Sequence, residues 1–504
     1  MRPTFVFTTF ALLFFNVATA AHAQVRQIIR GPDQPWTYEF VVDPAPESQP
    51  GLRFQMLPEQ RLRRPGNAAT AYYRAFRLFQ SHARPNSREE HLECVRLCSF
   101  ELMHRPGGKV FDDAIATRVA PLLTSYADVF GALKIATNRT MCDWGIVPGE
   151  MDEPETTNLQ IDEFQDARPL ARLVQLKARF EIFHHDYEEA FRTIQIGFQL
   201  GRDVAQCPTV LTGLIGMAIS IEMQVLMMEM IAQPGSPNLY WTLVAAPRPF
   251  VDPLPGLHQE LNWILRNPLI READREHTPD EWKQIVADSL VLLHKLQSGG
   301  ESDVKGDSDQ NTSEDAEKLI FREAGRAKQE LMSFGFEKKI AGMSDAQVIV
   351  LHEALALRHK RDEVLKRIYL PYHQAIPLIR ALFDAERNSI GPVRIADLKE
   401  TIPLFQEMLP LSSITPALTG SIRLDRLLVR LRTIEALRLH AATHDGKLPA
   451  ALSDITAVPI ADDPITGGPI IYKLDGETAI LEFPSPNSIA SYAEITTVTV
   501  RKTK

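Results

Sequence analysis

The stretch that decides the fold is Arg168-Pro-Leu-Ala-Arg-Leu-Val-Gln-Leu-Lys-Ala-Arg-Phe-Glu-Ile-Phe183, followed by His184-His-Asp186 and then Tyr187-Glu-Glu-Ala-Phe-Arg-Thr-Ile-Gln-Ile-Gly-Phe-Gln-Leu-Gly-Arg-Asp-Val-Ala205. Apolar side chains recur at three-to-four spacing on both sides of the His-His-Asp break, so the pattern predicts two helices folded back as an antiparallel hairpin. The small residues Ala178, Ala190 and Gly197 fall where a tetratricopeptide hairpin needs close helix contact, and Ile194 takes a bulky position. The repeat's Trp, Tyr and Pro positions hold Val174, Glu181 and Arg202, and no second copy follows at a period of roughly 34 residues. A general helical hairpin is expected, because a lone repeat unit cannot bury its own face.

The pattern extends outward in both directions. Residues 24–66, rich in proline, read as an extended lead-in with one strand in Trp36-Thr-Tyr-Glu-Phe-Val-Val42. Helical periodicity then fills 67–297, with Asn67 as a cap and helices at Ser87–His104, Asp112–Asn138 and Val210–Ile231. The last of these resembles a membrane span in composition, but Glu222, Gln224 and Glu229 would each cost a few kcal/mol in lipid. A buried helix is expected, with Met217, Met223, Met227, Met228 and Met230 filling its core.

Capping boxes open helices at Thr278-Pro-Asp-Glu281 and Ser344-Asp-Ala-Gln347. Residues 298–315 read as a flexible acidic linker or loop, and 316–443 as a second helical region. In the last long helix, Arg423–Thr443, the leucines supply the apolar stripe, while Arg423, Arg426, Arg430 and Arg438 are expected to form a solvated, salt-bridged face. Residues 444–504 form an α+β tail with a β-hairpin at Ile470–Phe483 turning on Asp475-Gly476. The expected class is mainly α, with partly tetratricopeptide-like helical hairpins and a small C-terminal α+β hairpin module.

The first 23 residues read as a secretory leader. Arg2 provides the positive end, Phe5–Val17 the apolar run, and Ala21-His22-Ala23 the small-x-small pattern cleaved before Gln24. No Cys follows the cut to carry a lipid, so the mature chain is expected in the periplasm or medium, without a transmembrane helix. Lys and Arg total 55 and Asp and Glu 64, a net charge of −9 that becomes more negative when Arg2 leaves. That balance argues against nucleic acid as a partner.

In an oxidising compartment the four cysteines Cys94, Cys98, Cys142 and Cys207 allow two disulfides in three connectivities. Cys94 and Cys98 share a helix face, so each is expected to pair, if oxidised, with Cys142 or Cys207. His91 beside them has no second close-spaced ligand pair, and no metal or other cofactor is expected. The acidic positions around Asp307, Asp309 and Asn311 depart from a calcium loop at Thr312 and Lys318.

No motif for catalysis stands out. A Gly-x-Ser-x-Gly elbow and a phosphate-cradling loop are absent, and His352 and His359 lack metalloprotease spacing. The group His184, His185, Asp186 and Glu188 reads as a solvated turn. Glu222 and Glu229, one above the other on an apolar helix, are the candidate buried carboxylates and need partners or raised pKa values.

Two stretches carry resemblances. Tyr187–Glu260, above all Ser236-Pro-Asn-Leu-Tyr-Trp-Thr-Leu243 with Pro247 and Pro249, resembles uncharacterised exported helical proteins of planctomycete-type bacteria, as do Asn67–Tyr73 and Cys142-Asp-Trp-Gly145. This resemblance implies export and a helical fold, and brings no activity. The segment Glu435–Phe483, with His444-Asp-Gly446, Leu448-Pro449, Asp463-Pro464, Gly467, Gly468, Pro469 and Tyr472, is similar to the globular end of type II secretion pseudopilins. Those proteins carry their apolar helix at the N-terminus, unlike this chain. The expected function is an exported helical scaffold or interaction protein of the cell envelope, with an envelope protein as partner. The alternatives are an envelope hydrolase with a dispersed site, drawing on Glu222, Glu229 or His185, and a component of a pseudopilus-like assembly.

Overall fold

The structure is a computed structural model that describes residues 25–28, 35–83, 88–97, 111–146, 164, 166–263, 268–275, 277, 278, 280–282, 284, 285, 325, 327–389, 411–485 and 493–502. The signal segment, Cys98 and the stretch 298–315 lie outside these residues. The fold is mainly helical with a small sheet, and its described residues divide into two compact units. One comprises residues of 257–370 and 374–414; the other comprises 25–256, 371–373 and 415–502.

In the larger unit the helices are α1 (Ala68–Ser81), α2 (Arg88–Arg96), α3 (Asp113–Ser125), α4 (Ala127–Thr137), α5 (Ala167–Phe183), α6 (Tyr187–Val204) and α7 (Val210–Ile231). Local chemistry starts them as expected. Asn67 Oδ1 accepts the Ala69 N–H at 3.0 Å, and Asp186 Oδ1 accepts that of Glu189 at 3.2 Å. The hairpin of α5 and α6 turns on His185, whose φ of 58° lies in the left-handed region. The helix expected over Asp112–Asn138 is two helices bent by 68°, since the chain turns at Tyr126, whose ring is fully buried beside Phe79 and His82. Thr209 caps α7 by accepting the Thr212 N–H at 3.1 Å.

Helix α7 is long and apolar enough to cross a bilayer, yet 67% of its most apolar window is buried. It packs on α5 and α6, and its five methionines are core residues. In the smaller unit, Ser344 closes its capping box with Gln347 and opens α8 (Asp345–Ile368), after which α9 (Tyr372–Ser389) begins in the larger unit. Helix α10 (Leu411–Thr443) likewise runs from one set of residues into the other.

The sheet joins the two ends of the chain. Strands β1 (Val25–Ile28), β2 (Trp36–Val42), β5 (Ile471–Asp475), β6 (Thr478–Phe483) and β7 (Glu494–Val500) lie in the order β1-β2-β7-β6-β5. A separate pair, β3 (Arg64–Asn67) and β4 (Arg139–Met141), braces the start of α1. The predicted hairpin is β5–β6, and β2 runs parallel to β7 with Trp36 opposite Glu494 and Val42 opposite Val500. Alternation sets the faces: Phe40, Val42, Ala479, Leu481, Phe483 and Val498 point to the core.

The arginine row of α10 corrects the sequence expectation. Arg426, Arg430 and Arg438 have no exposed side-chain surface, and only Arg423 stays half-buried. Each buried guanidinium meets a carboxylate. Arg426 grips Asp463 through Nε–Oδ1 (2.9 Å) and Nη2–Oδ2 (2.5 Å). Arg430 meets Glu494 at 2.9 Å and lies 3.7 Å from the Tyr38 ring centroid. Arg438 meets both Glu435 oxygens at 2.9 Å and donates to the carbonyls of Asp43 and Ser236. These contacts fasten α10 to strands and loops from both chain ends, and the periodicity of a helix cannot foretell them.

Candidate functional site

The three-helix layer of α5, α6 and α7 holds the two carboxylates singled out by sequence. Backbones approach closely here, because a Cβ on Gly216 of α7 would meet Gly201 O and lie 2.8 Å from the Ala205 Cβ. Gly197 likewise faces Met223, so this small residue serves contact with α7 as well as the hairpin itself. Glu222 and Glu229 of α7 lie within electrostatic reach of the arginines of α5.

Glu229 is held by Arg179 in a fork, with Nε–Oε2 at 2.9 Å and Nη2–Oε1 at 2.8 Å. Glu222 is different. Burial pushes its carboxyl up to about 7, although Arg172, Arg168 and Arg179 all pull it down. Its Oε2 is buried with no hydrogen-bond partner, and so is the Nε of Arg172. Arg168 and Arg172 stand one helical turn apart on α5, within electrostatic reach of Glu222. Arg172 and Glu222 therefore each have a buried polar atom with nothing to bond.

A second polar network surrounds Asp203 at the end of α6. Its Oδ2 accepts the Tyr72 hydroxyl at 2.7 Å and its Oδ1 accepts Gln199 Nε2 at 2.7 Å, while its backbone carbonyl takes the Trp144 indole N–H at 2.7 Å. Arg63 extends the chain by donating to Gln199 Oε1 at 2.5 Å. Burial raises the Asp203 carboxyl to about 6, and the hydrogen bonds from Tyr72 and Gln199 oppose that rise. Tyr72, Trp144 and Phe76 stack over this network, so the segments 67–73 and 142–145 meet at α6.

No family model, curated protein or solved structure matches the chain. His185 is exposed, and its Nδ1 lies 2.7 Å from the Tyr187 hydroxyl, as befits a solvated turn. Carboxylates also gather at a shallow cleft lined by Glu89, Glu90, Glu93 and Arg118, but Arg118 Nε binds Glu93 at 2.8 Å and Glu89 and Glu90 are exposed.

Among the described residues no three His, Cys, Asp or Glu side chains gather as a metal ligand set. Among the described residues no disulfide joins the buried Cys94, Cys142 and Cys207 to one another, and Cys98, the fourth cysteine of the expected pairings, lies outside them. Burial holds the Cys142 thiol well above its ordinary range, with Asp203 and Asp143 adding to the effect.

Sequence reasoning found Glu222 and Glu229 but missed Arg168, Arg172 and Asp203. A signal was present for the first two. Arg168, Arg172 and Arg179 recur at four and seven positions on one helix, the period that would place them beside carboxylates seven apart on a neighbour. Asp203 gave none, because its partner Tyr72 lies 131 residues away.

Proposed function

We propose that the chain is an exported helical scaffold of the cell envelope, whose hairpin layer holds a protein partner. The observation that carries this reading is where the deepest charges go. Arg426, Arg430 and Arg438 close on carboxylates and carbonyls of their own chain, so these buried charges fasten a helix to a strand and to loops. Glu229 is likewise held by Arg179, which weighs against a carboxylate pair poised for hydrolysis. Export rests on the leader of Arg2, Phe5–Val17 and Ala21–Ala23.

The test is chemical crosslinking of the tagged mature protein in its native envelope, followed by mass spectrometry. Reproducible capture of one protein, lost when the surface of Arg168–Ala205 is altered, supports the scaffold. Recovery of the protein alone and unlinked overturns it and turns attention to hydrolysis at Glu222.

A further inference from the structure

Two histidines at the end of α10 take no part in the charge pairs that fasten this helix. His440 and His444 stand one helical turn apart, a spacing of four that puts both imidazoles on one face and that His352 and His359 lack. Their rings lie face to face, with centroids 3.8 Å apart and planes within 6° of parallel. Gly446, at a φ of 77°, donates its N–H to Ala441 O at 2.9 Å and closes the helix, which keeps His444 in register with His440.

Hydrogen bonding settles which nitrogen of His444 is available. Its Nδ1 lies 2.9 Å from the His440 carbonyl, to which Thr443 Oγ1 also donates at 3.0 Å. A carbonyl only accepts, so Nδ1 carries the proton and the neutral ring keeps its lone pair on Nε2. A histidine that gives one ring N–H to a backbone carbonyl and offers the other nitrogen is arranged as metal ligands are.

We propose that His440 and His444 form a two-imidazole site for a divalent transition-metal ion, Cu²⁺ foremost. The ring spacing is close to twice a metal–imidazole bond of roughly 2.0–2.1 Å, so a tilt of the exposed His444 ring lets one ion span the pair. His440 is 9% exposed, and the ion reaches it from the side of His444. Imidazole selects Cu²⁺, Ni²⁺ and Zn²⁺ over Ca²⁺ and Mg²⁺, and Cu²⁺ heads the affinity order. The surroundings favour a cation as well, because the carboxyl end of a helix is negative and Asp454 stands within electrostatic reach of His440. This chain supplies two donors, and water completes the coordination. The site needs no protein partner and stands apart from the scaffold reading.

The experiment titrates the full mature protein, without a histidine tag, with Cu²⁺ in a non-chelating buffer and follows it by calorimetry and electron paramagnetic resonance. One equivalent should bind in the micromolar range or tighter, with hyperfine coupling to two imidazole nitrogens. His440→Phe and His444→Phe should each weaken binding about tenfold or more and leave coupling to one nitrogen. His444→Phe, at an exposed position, carries the test if His440→Phe does not fold by circular dichroism. His184→Gln, at an exposed histidine of the α5–α6 turn, should leave the site unchanged.

Absence of a stoichiometric site at micromolar Cu²⁺ overturns the proposal and leaves the two rings a stacked helix end. So does binding that His444→Phe leaves intact, or that His184→Gln weakens equally. Excess Zn²⁺ should displace Cu²⁺ in part, and displacement by Ca²⁺ overturns the assignment to imidazole.

Discussion

Replacing Asp463 with Asn isolates one of the two ion pairs among the described residues whose side chains are both fully buried. Asp463 and Arg426 have no exposed side-chain surface and share two hydrogen bonds, at 2.9 and 2.5 Å. Arg426 also donates to the Pro484 carbonyl at 2.7 Å, and Asp463 accepts from Ile465 N–H and Thr466 Oγ1, both at 3.1 Å. The Asn oxygen can keep one of these bonds, but its amide nitrogen offers a donor to a guanidinium that has only donors.

A buried cation left without its counter-charge costs about 3–5 kcal/mol, a large part of the stability of an ordinary domain. Urea unfolding followed by circular dichroism measures the loss. Hydrogen exchange of the amides in Ile471–Phe483 places it in the sheet. The double substitution Arg426→Met with Asp463→Leu removes both charges and should cost less than either single change. A value for Asp463→Asn within about 0.5 kcal/mol of the unaltered protein would refute the reasoning, as would a double variant as costly as the two singles summed.

Other expectations follow from single sites. Gly216→Ala should destabilise by about 1–3 kcal/mol because its Cβ meets the backbone of α6, while Gly213→Ala on the same helix meets nothing within 4 Å and should be neutral or stabilising; thermal melts of the two compare them directly. Asp425, raised by burial to about 6 from 3.8, lets the native state keep a proton that the unfolded chain has lost. Its contribution is therefore present at low pH and disappears as pH rises from about 4 to 6. Asp425→Asn, which retains Oδ1 for the Phe250 N–H at 2.9 Å, should flatten this slope and raise stability at pH 7 by up to about 3 kcal/mol; urea midpoints across that range decide. Iodoacetamide should leave Cys142 unmodified in the folded protein and alkylate it in urea, as peptide mass spectrometry will show.

The sequence by itself determined what neighbouring residues settle among themselves. Asn67, Asp186 and Ser344 cap helices because a side-chain oxygen two or three residues from a bare N–H reaches it without help from the rest of the fold. The α5–α6 hairpin and the β5–β6 turn at Gly476, with φ of 58°, were legible for the same reason. So was the burial of the α7 methionines. Of the candidate site, Glu222 and Glu229 could be read because charge inside an apolar run demands explanation.

Tertiary structure alone decided which charges are buried. Arg438 reads as a surface residue on a helical wheel, yet its guanidinium reaches Asp43 O, 395 residues earlier. Burying a guanidinium costs free energy that only partners can offset, and those of Arg426, Arg430 and Arg438 come largely from loops and strands outside the helix. The parallel pairing of β2 with β7 is equally non-local, since a strand's own residues fix its alternation but not its neighbour. The same holds for the unpaired buried atoms of Arg172 on α5 and Glu222 on α7, whose burial neither helix's own residues fix.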